Sequence, residues 1–256
     1  MIVRSTQGQV AVLIIDRQRQ RNALDIEHCV ALAGELDAAA GEGARCVVLT
    51  GAGSAFCSGA DLDAVYDASF RDALYDLLAG LVTCPLPVLA AVNGPAIGAG
   101  TQLALASDLR VAGPSAVFGI PTARLGLAVD PWTVARLAQL TGAGPAARLL
   151  LEAVRLDAEQ AARHGLVEHL LVGETGSDGE AAGPLAAAIA LAHQLAELAP
   201  LTLAYNKHAL RAGLPLPGTF ANDDLRGAFD ACWASEDFQE GRVARTEQRP
   251  PVFRGR

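Results

Sequence analysis

Short apolar runs alternate with longer stretches of helical periodicity along the first half of the chain. Val10-Ala11-Val12-Leu13-Ile14-Ile15, Cys46-Val47-Val48-Leu49-Thr50 and Val88-Leu89-Ala90-Ala91-Val92 are nearly free of polar side chains, as strands buried on both faces are. Ile26 to Ala40, Ala64 to Leu81 and Thr101 to Ser107 read as helices, and Leu109 to Ala112 as a further strand. Strand and helix in alternation predict right-handed β-α-β crossovers around a parallel sheet. After Pro131 the strand signal fades. Trp132 to Leu140, Gly144 to Leu151, Asp157 to His164, Leu185 to Leu198, Leu201 to Arg211 and Asp223 to Trp233 read as helices. Gly173 to Glu180, polar and glycine-rich, reads as a loop. Pattern alone thus predicts an α/β core of roughly 130 to 150 residues followed by a helical C-terminal part.

Two turns stand out. Val88 to Val92 runs through Asn93-Gly94-Pro95-Ala96-Ile97-Gly98-Ala99-Gly100 into the helix at Thr101, and Cys46 to Thr50 is followed by Cys57-Ser58-Gly59-Ala60-Asp61-Leu62. A strand, a turn of glycines and alanines and a helix start leave backbone N–H groups without partners, where small side chains let a ligand oxygen come close. Two such turns can aim two donors at one carbonyl oxygen, the arrangement of an oxyanion site.

Composition narrows the classes. A net charge of −8 without a long basic run argues against nucleic acid as the main partner. The cluster Arg242, Arg245, Arg249, Arg254 and Arg256 reads more readily as a solvated tail than as an anion clamp. Five scattered cysteines (Cys29, Cys46, Cys57, Cys84 and Cys232) form no CxxC pair and fit buried thiols of a reducing cytosol. Met1 to Asp16 lacks the build of a signal peptide and no apolar run reaches membrane-spanning length, so a soluble, cytoplasmic protein is expected. His28, His164, His169, His193 and His208 form no metal or nucleophile set with recognisable spacing, and the glycines miss the GxGxxG spacing of a dinucleotide site.

The two turns belong to an ordered series of blocks: Arg21-Asn22-Ala23-Leu24, Phe56-Cys57-Ser58-Gly59-Ala60-Asp61-Leu62, Asn93 to Gly100, Ser107-Asp108-Leu109-Arg110, Phe118-Gly119-Ile120-Pro121 with Leu125-Gly126-Leu127, Ala161 to Val167, and Arg249-Pro250-Pro251-Val252-Phe253. Together they resemble the enoyl-CoA hydratase/isomerase (crotonase) superfamily from end to end. Within it the chain is most similar to an actinobacterial hydratase-like subgroup lacking both catalytic glutamates. The resemblance implies a spiral β-β-α superhelix, with an acyl-CoA-binding core over 1–185 and a helical trimerisation region over 186–256. It implies a homotrimer or hexamer, a coenzyme A thioester as ligand or substrate with no other cofactor and no metal, and delivery of fatty acyl-CoA to lipid synthesis beside a fatty-acid-elongation enzyme. The alanine-rich stretch Ala186 to Ala190 suits a subunit contact or a packed core equally.

The same resemblance places the oxyanion amides at Ala60 and Ala99. It assigns ligand contacts to Arg21 and Ala23; to Ser58, Ala60, Asp61 and Leu62; to Ile97, Gly98, Ala99 and Gln102; and to Pro121, Thr122, Leu127, Asp130 and Trp132. Family hydratases use paired glutamates at the positions held here by Gln102 and Thr122, and neither side chain can take a proton from water as a carboxylate does. Gln248 stands where the family commonly has a lysine that meets coenzyme A. Asp130 matches an aspartate that some non-hydrating relatives use as acid/base or nucleophile. Asp130-Pro131-Trp132 also has the form of a helix N-cap with proline at the first helical position. Arg124 either neutralises Asp130 or lies on the surface. Acyl-CoA binding without hydration is therefore expected, with an isomerase or other enolate-forming enzyme using Asp130 as the alternative.

Overall fold

A computed structural model describes residues 1–61, 68–171 and 183–255. The predicted apolar runs form the middle of a six-stranded sheet. In chain order its strands are β1 (Ile2–Gln7), β2 (Val10–Ile15), β3 (Cys46–Gly51), β4 (Val88–Val92), β6 (Leu109–Ala112) and β9 (His169–Leu170), and they lie side by side in that same order. β1 runs antiparallel to β2, and the other neighbours are parallel.

Alternate residues of these strands enter two cores, because successive side chains point to opposite faces. Leu13, Ile15, Val47, Leu49, Val88 and Ala90 pack with α1 (Ile26–Gly41) and α2 (Ala68–Thr83). Val12, Val48, Leu89, Ala91 and Val111 pack instead with Ala188 and Ala192 of α7 (Pro184–Ala196). The alanine-rich helix is thus core packing within one chain: its small side chains let α7 lie flat on the sheet.

A second sheet escaped sequence reading because its strands are only three residues long, too short for a periodicity to register. It consists of β5 (Pro95–Ile97), β7 (Val117–Gly119) and β8 (Arg155–Asp157), in that order. Single parallel bridges, Leu24 to Ala60 and Cys57 to Ala96, extend the same layer. Each long strand therefore runs on into this layer and returns through a helix. β2 leads through Leu24 to α1, β3 through Cys57 and Ala60 to α2, and β4 through β5 to α3 (Ala99–Ala106). β6 leads through β7 to a 3-10 turn, Pro121–Leu125, and α4 (Pro131–Thr141). This repeat is the β-β-α spiral that the resemblance implied.

Buried polar residues tie the turns of the spiral together. Arg110 is fully buried and donates to the carbonyls of Ala104, Ser107 and Leu166 while pairing with Glu168. Asp108 accepts the Val88 N–H at 2.8 Å and pairs with Lys207 and Arg211 of α8 (Pro200–Arg211). The Ser107-Asp108-Leu109-Arg110 block is a structural pin.

The remaining helices are α5 (Ala143–Leu150), α6 (Ala158–Arg163), α9 (Asp223–Ala234) and α10 (Glu236–Thr246). Of the arginines expected in a solvated tail, Arg242 and Arg245 lie exposed on α10, and Arg249 and the exposed Arg254 follow it. Ser235 caps α10, and Arg249 pairs with Glu240 and Glu247. α10 packs on the Pro121–Leu125 turn so tightly that a Cβ on Gly241 would stand 2.3 Å from the Leu125 carbonyl. Four cysteines are buried and Cys232 is exposed; all five are free thiols. No single described helix is long and apolar enough to cross a membrane. The Gly173 to Glu180 loop, Leu62 and the first residues of the helix expected from Ala64 lie outside the described residues.

Candidate functional site

The two small-residue turns meet. Gly59 (φ +110°) and Gly98 (φ +55°) both adopt backbone angles that side chains disfavour. A Cβ on Gly59 would lie 2.9 Å from the Ile97 carbonyl oxygen and 3.9 Å from the Ala99 nitrogen, so only glycine permits this approach. Leu24 takes both bonds of its bridge from the residues flanking Ala60: its N–H donates to Gly59 O at 2.8 Å, and its carbonyl accepts from Asp61 N–H at 2.6 Å. In such a parallel bridge the Ala60 N–H points the other way. Ala99 opens α3, and its N–H is one of the four that a helix start leaves over. Neither amide has an acceptor among the described residues.

Both amides face a cavity of about 490 Å³. Among the residues expected in the site, Arg21, Ser58, Ala60, Ile97, Gly98, Ala99, Gln102, Pro121, Thr122 and Leu127 line it. Ala23, Asp61, Asp130 and Trp132 do not. Ala23 is buried below the surface turn, and Trp132 is packed in the core. Asp61 is drawn into an ion pair with Arg17 at 2.6 Å. Sequence reading missed Asn22, which has φ +60° and ties three segments together. Its Oδ1 accepts Arg17 N–H at 3.0 Å, and its Nδ2 donates to the Ala52 and Ala55 carbonyls at 2.9 and 2.7 Å. This pin holds the Arg21 loop against the Ser58 turn, where Ser58 N–H donates to Arg21 O. The signal available was an asparagine, a residue that tolerates left-handed angles, in a short connection.

Asp130 is corrected as a cavity residue. It is fully buried at the N-cap of α4, where Oδ1 accepts the Thr133 N–H at 3.3 Å and the Thr133 hydroxyl at 2.5 Å. Its Oδ2 accepts the Gly218 N–H at 2.8 Å. Both oxygens are committed, so the N-cap reading is the one this geometry carries. Burial holds the Asp130 carboxyl above the usual carboxylate range, while the Thr133 hydroxyl and the Gly218 N–H pull against that rise. The Tyr75 phenol is pushed up chiefly by burial and further by the Asp130 charge. Gln102 Nε2 donates to Thr133 Oγ1 at 2.8 Å. A buried relay thus runs from the cavity wall through Thr133 to Asp130 and on to the backbone at Gly218. Arg124 does not neutralise Asp130: it is exposed, lines the cavity and has no ion-pair partner among the described residues.

The cavity's chemistry is one-sided. Among the described residues, no Asp, Glu, His or Cys lines it. Five arginines do (Arg21, Arg71, Arg124, Arg155 and Arg245), none with a carboxylate partner among the described residues. Arg71 lies over the ring of Trp233 at 4.8 Å, joining α2 to α9. The walls contributed by Phe70, Leu74, Val117 and Leu125 are apolar. Such a cavity suits a ligand with an apolar part, a carbonyl oxygen between the two amides and anionic groups at the rim. Among the described residues no cluster of His, Cys, Asp or Glu is placed to hold a metal.

The model of the family described as enoyl-CoA hydratase/isomerase matches residues 5–256. The chain is 41% identical over 249 residues to a probable enoyl-CoA hydratase of Mycobacterium tuberculosis, covering 96% of each protein. Among solved structures it is similar to a carnitinyl-CoA hydratase from Mycobacterium avium, at 32% identity and TM-score 0.83, covering 100% of this chain and 98% of the other. It is also similar to a methylmalonyl-CoA decarboxylase in complex with 2-nitronate-propionyl-CoA, at 26% identity and TM-score 0.87 with the same coverage.

Proposed function

The chain belongs to the enoyl-CoA hydratase/isomerase family, and from that premise we propose that it binds a fatty acyl-CoA through the Ala60 and Ala99 amides without hydrating it. One observation carries the reading: two partnerless amides face a cavity in which no described residue carries a carboxylate or an imidazole. Two N–H donors aimed at one thioester oxygen would hold the acyl group and draw charge onto that oxygen. Adding water to an enoyl thioester further needs a base to take a proton from water and an acid to give one to the α carbon. Each well-placed group is worth ~10²–10⁴ in rate. Gln102 and Thr122 supply neither.

The unpaired arginines support an anionic ligand, because a coenzyme A ester carries three phosphate groups that guanidinium groups recognise well. Acid/base chemistry at Asp130 is not favoured, since its carboxylate meets the cavity only through Thr133 and Gln102. A homotrimer is part of the same proposal. Leu201, Tyr205 and Leu210 stand exposed on α8 and suit a subunit contact.

Calorimetric titration with a saturated acyl-CoA and with free coenzyme A tests the reading. Saturable binding of the thioester, tighter than that of coenzyme A alone, is expected. Equal affinities would mean that the acyl group is not held. Incubation with a 3-enoyl-CoA separates the enzyme class, since double-bond migration abolished by Asp130→Asn would establish an isomerase.

A further inference from the structure

Resting on that acyl-thioester reading, we infer that the site selects acyl groups bearing a hydroxyl at C3, which donates to the side-chain carbonyl of Gln102. The argument starts from one proton. Thr133 Oγ1 carries a single hydrogen, and Asp130, both of whose oxygens already accept backbone N–H groups from Thr133 and Gly218, is the acceptor at 2.5 Å, so that hydrogen points at Asp130. The lone pairs of Thr133 Oγ1 then accept from Gln102 at 2.8 Å, which must present its NH₂ group there. The amide cannot turn over without setting two acceptors face to face. Its Oε1 is thereby fixed on the other branch. It has no partner among the described residues, on a side chain that is 4% exposed and lines the cavity.

A carbonyl oxygen that has no protein partner and opens on the cavity, on an otherwise buried side chain, favours a ligand that brings a hydrogen-bond donor when it displaces water there. Gln102 lies three residues along α3 from Ala99, on the same face of the helix and on the order of 5–6 Å away between Cβ atoms. With the thioester oxygen on the Ala99 amide, that places Oε1 beside the second and third acyl carbons. Saturated and 2-enoyl groups offer no donor there. A 3-oxo group offers a second acceptor, which is worse. A 3-hydroxyacyl group supplies what is missing. Thr133 and Asp130 touch no ligand; they are positioning residues that set which end of the Gln102 amide the ligand meets.

The test is a set of dissociation constants at matched chain length, four and twelve carbons, for saturated, 2-enoyl, 3-oxo and 3-hydroxy acyl-CoA. A hydroxyl that gains one ordinary hydrogen bond tightens binding ~2- to ~12-fold over the saturated ester. Gln102→Met, which keeps the length and loses the acceptor, should bring that ratio to about one. Thr133→Ser keeps the hydroxyl and should preserve the ratio, whereas Thr133→Val should lower it; a merely structural role for Thr133 would leave it unmoved. Saturated and 3-hydroxy esters binding within twofold of each other, or a preference surviving Gln102→Met, would overturn the inference while leaving acyl-CoA binding intact. Failure of every thioester to bind would overturn the proposed function, and this inference with it.

Discussion

Replacing Gln102 by the glutamate that family hydratases carry should destabilise this protein in a pH-dependent way. In the native relay, Gln102 Nε2 lies 2.8 Å from Thr133 Oγ1, which lies 2.5 Å from Asp130 Oδ1. Gln102→Glu would set two carboxylates on either side of one hydroxyl whose single proton can satisfy only one of them. Charges roughly 5 Å apart at an effective dielectric near 20 repel by about 3 kcal/mol. Taking up one proton removes that repulsion, so the pair titrates as a unit with its upper pKa above the unfolded value. The sign follows: the variant's deficit is small at and below the ordinary carboxylate range and grows as pH rises through that upper pKa. Urea unfolding of wild type and Gln102→Glu at pH 5 and pH 8 reads this directly. A deficit of about 3 kcal/mol at pH 8 that shrinks markedly at pH 5 is expected. Asp130→Asn in the Gln102→Glu background should recover most of it, less about 1 kcal/mol for the Gly218 N–H, which an asparagine capping Thr133 through its oxygen can no longer accept. A Gln102→Glu protein as stable as wild type at both pH values would refute the relay.

Ala99→Pro removes one amide hydrogen while leaving the start of α3 intact, because proline is favoured at a first helical position. Acyl-CoA binding should weaken at least ~10-fold by calorimetry, with helical circular dichroism unchanged. Arg110→Met strands three carbonyls and the Glu168 carboxylate, and should cost ~3–5 kcal/mol in urea unfolding. Arg249, chiefly through its side-chain hydrogen bonds, holds the Glu240 carboxyl down to about 2. The tail's attachment to α10 is therefore complete above the ordinary value of 4.5 and lost as pH falls toward 2. Carboxyl NMR should find Glu240 titrating near 2 in wild type and moving back toward 4.5 in Arg249→Gln.

Much of this architecture was legible in the chain because burial on two faces leaves a loud signal. β3 and β4 are apolar at every position or nearly so, since α7 covers what α1 and α2 do not. The glycine turns were legible because Gly59 and Gly98 answer a steric demand that no other residue meets. The three-residue strands β5, β7 and β8 left no periodicity, and the single bridges at Leu24 and Cys57 left none at all. α10 was hidden by its charge: its exposed Arg242 and Arg245, followed by Arg249, which pairs with both Glu240 and Glu247, look, in sequence, like a solvated tail. The motif residues Ala23, Asp61 and Trp132 were placed in the ligand site because motif blocks mix residues that touch a ligand with residues that hold the backbone. Asp61 illustrates the second kind through its pair with Arg17. Asp130 fits both patterns in sequence, and only the hydrogen bonds from Thr133 and Gly218 show both of its oxygens occupied.

The central claim is that an acyl thioester is gripped by two main-chain donors while the groups that would deliver water are gone. Purified protein incubated with a saturating 2-enoyl-CoA, followed by mass spectrometry for the 3-hydroxy ester, tests it most directly. Full occupancy with hydration no faster than in buffer is the expected result. Hydration at a rate typical of enzymes, on the order of 1–10³ per second, would contradict the account.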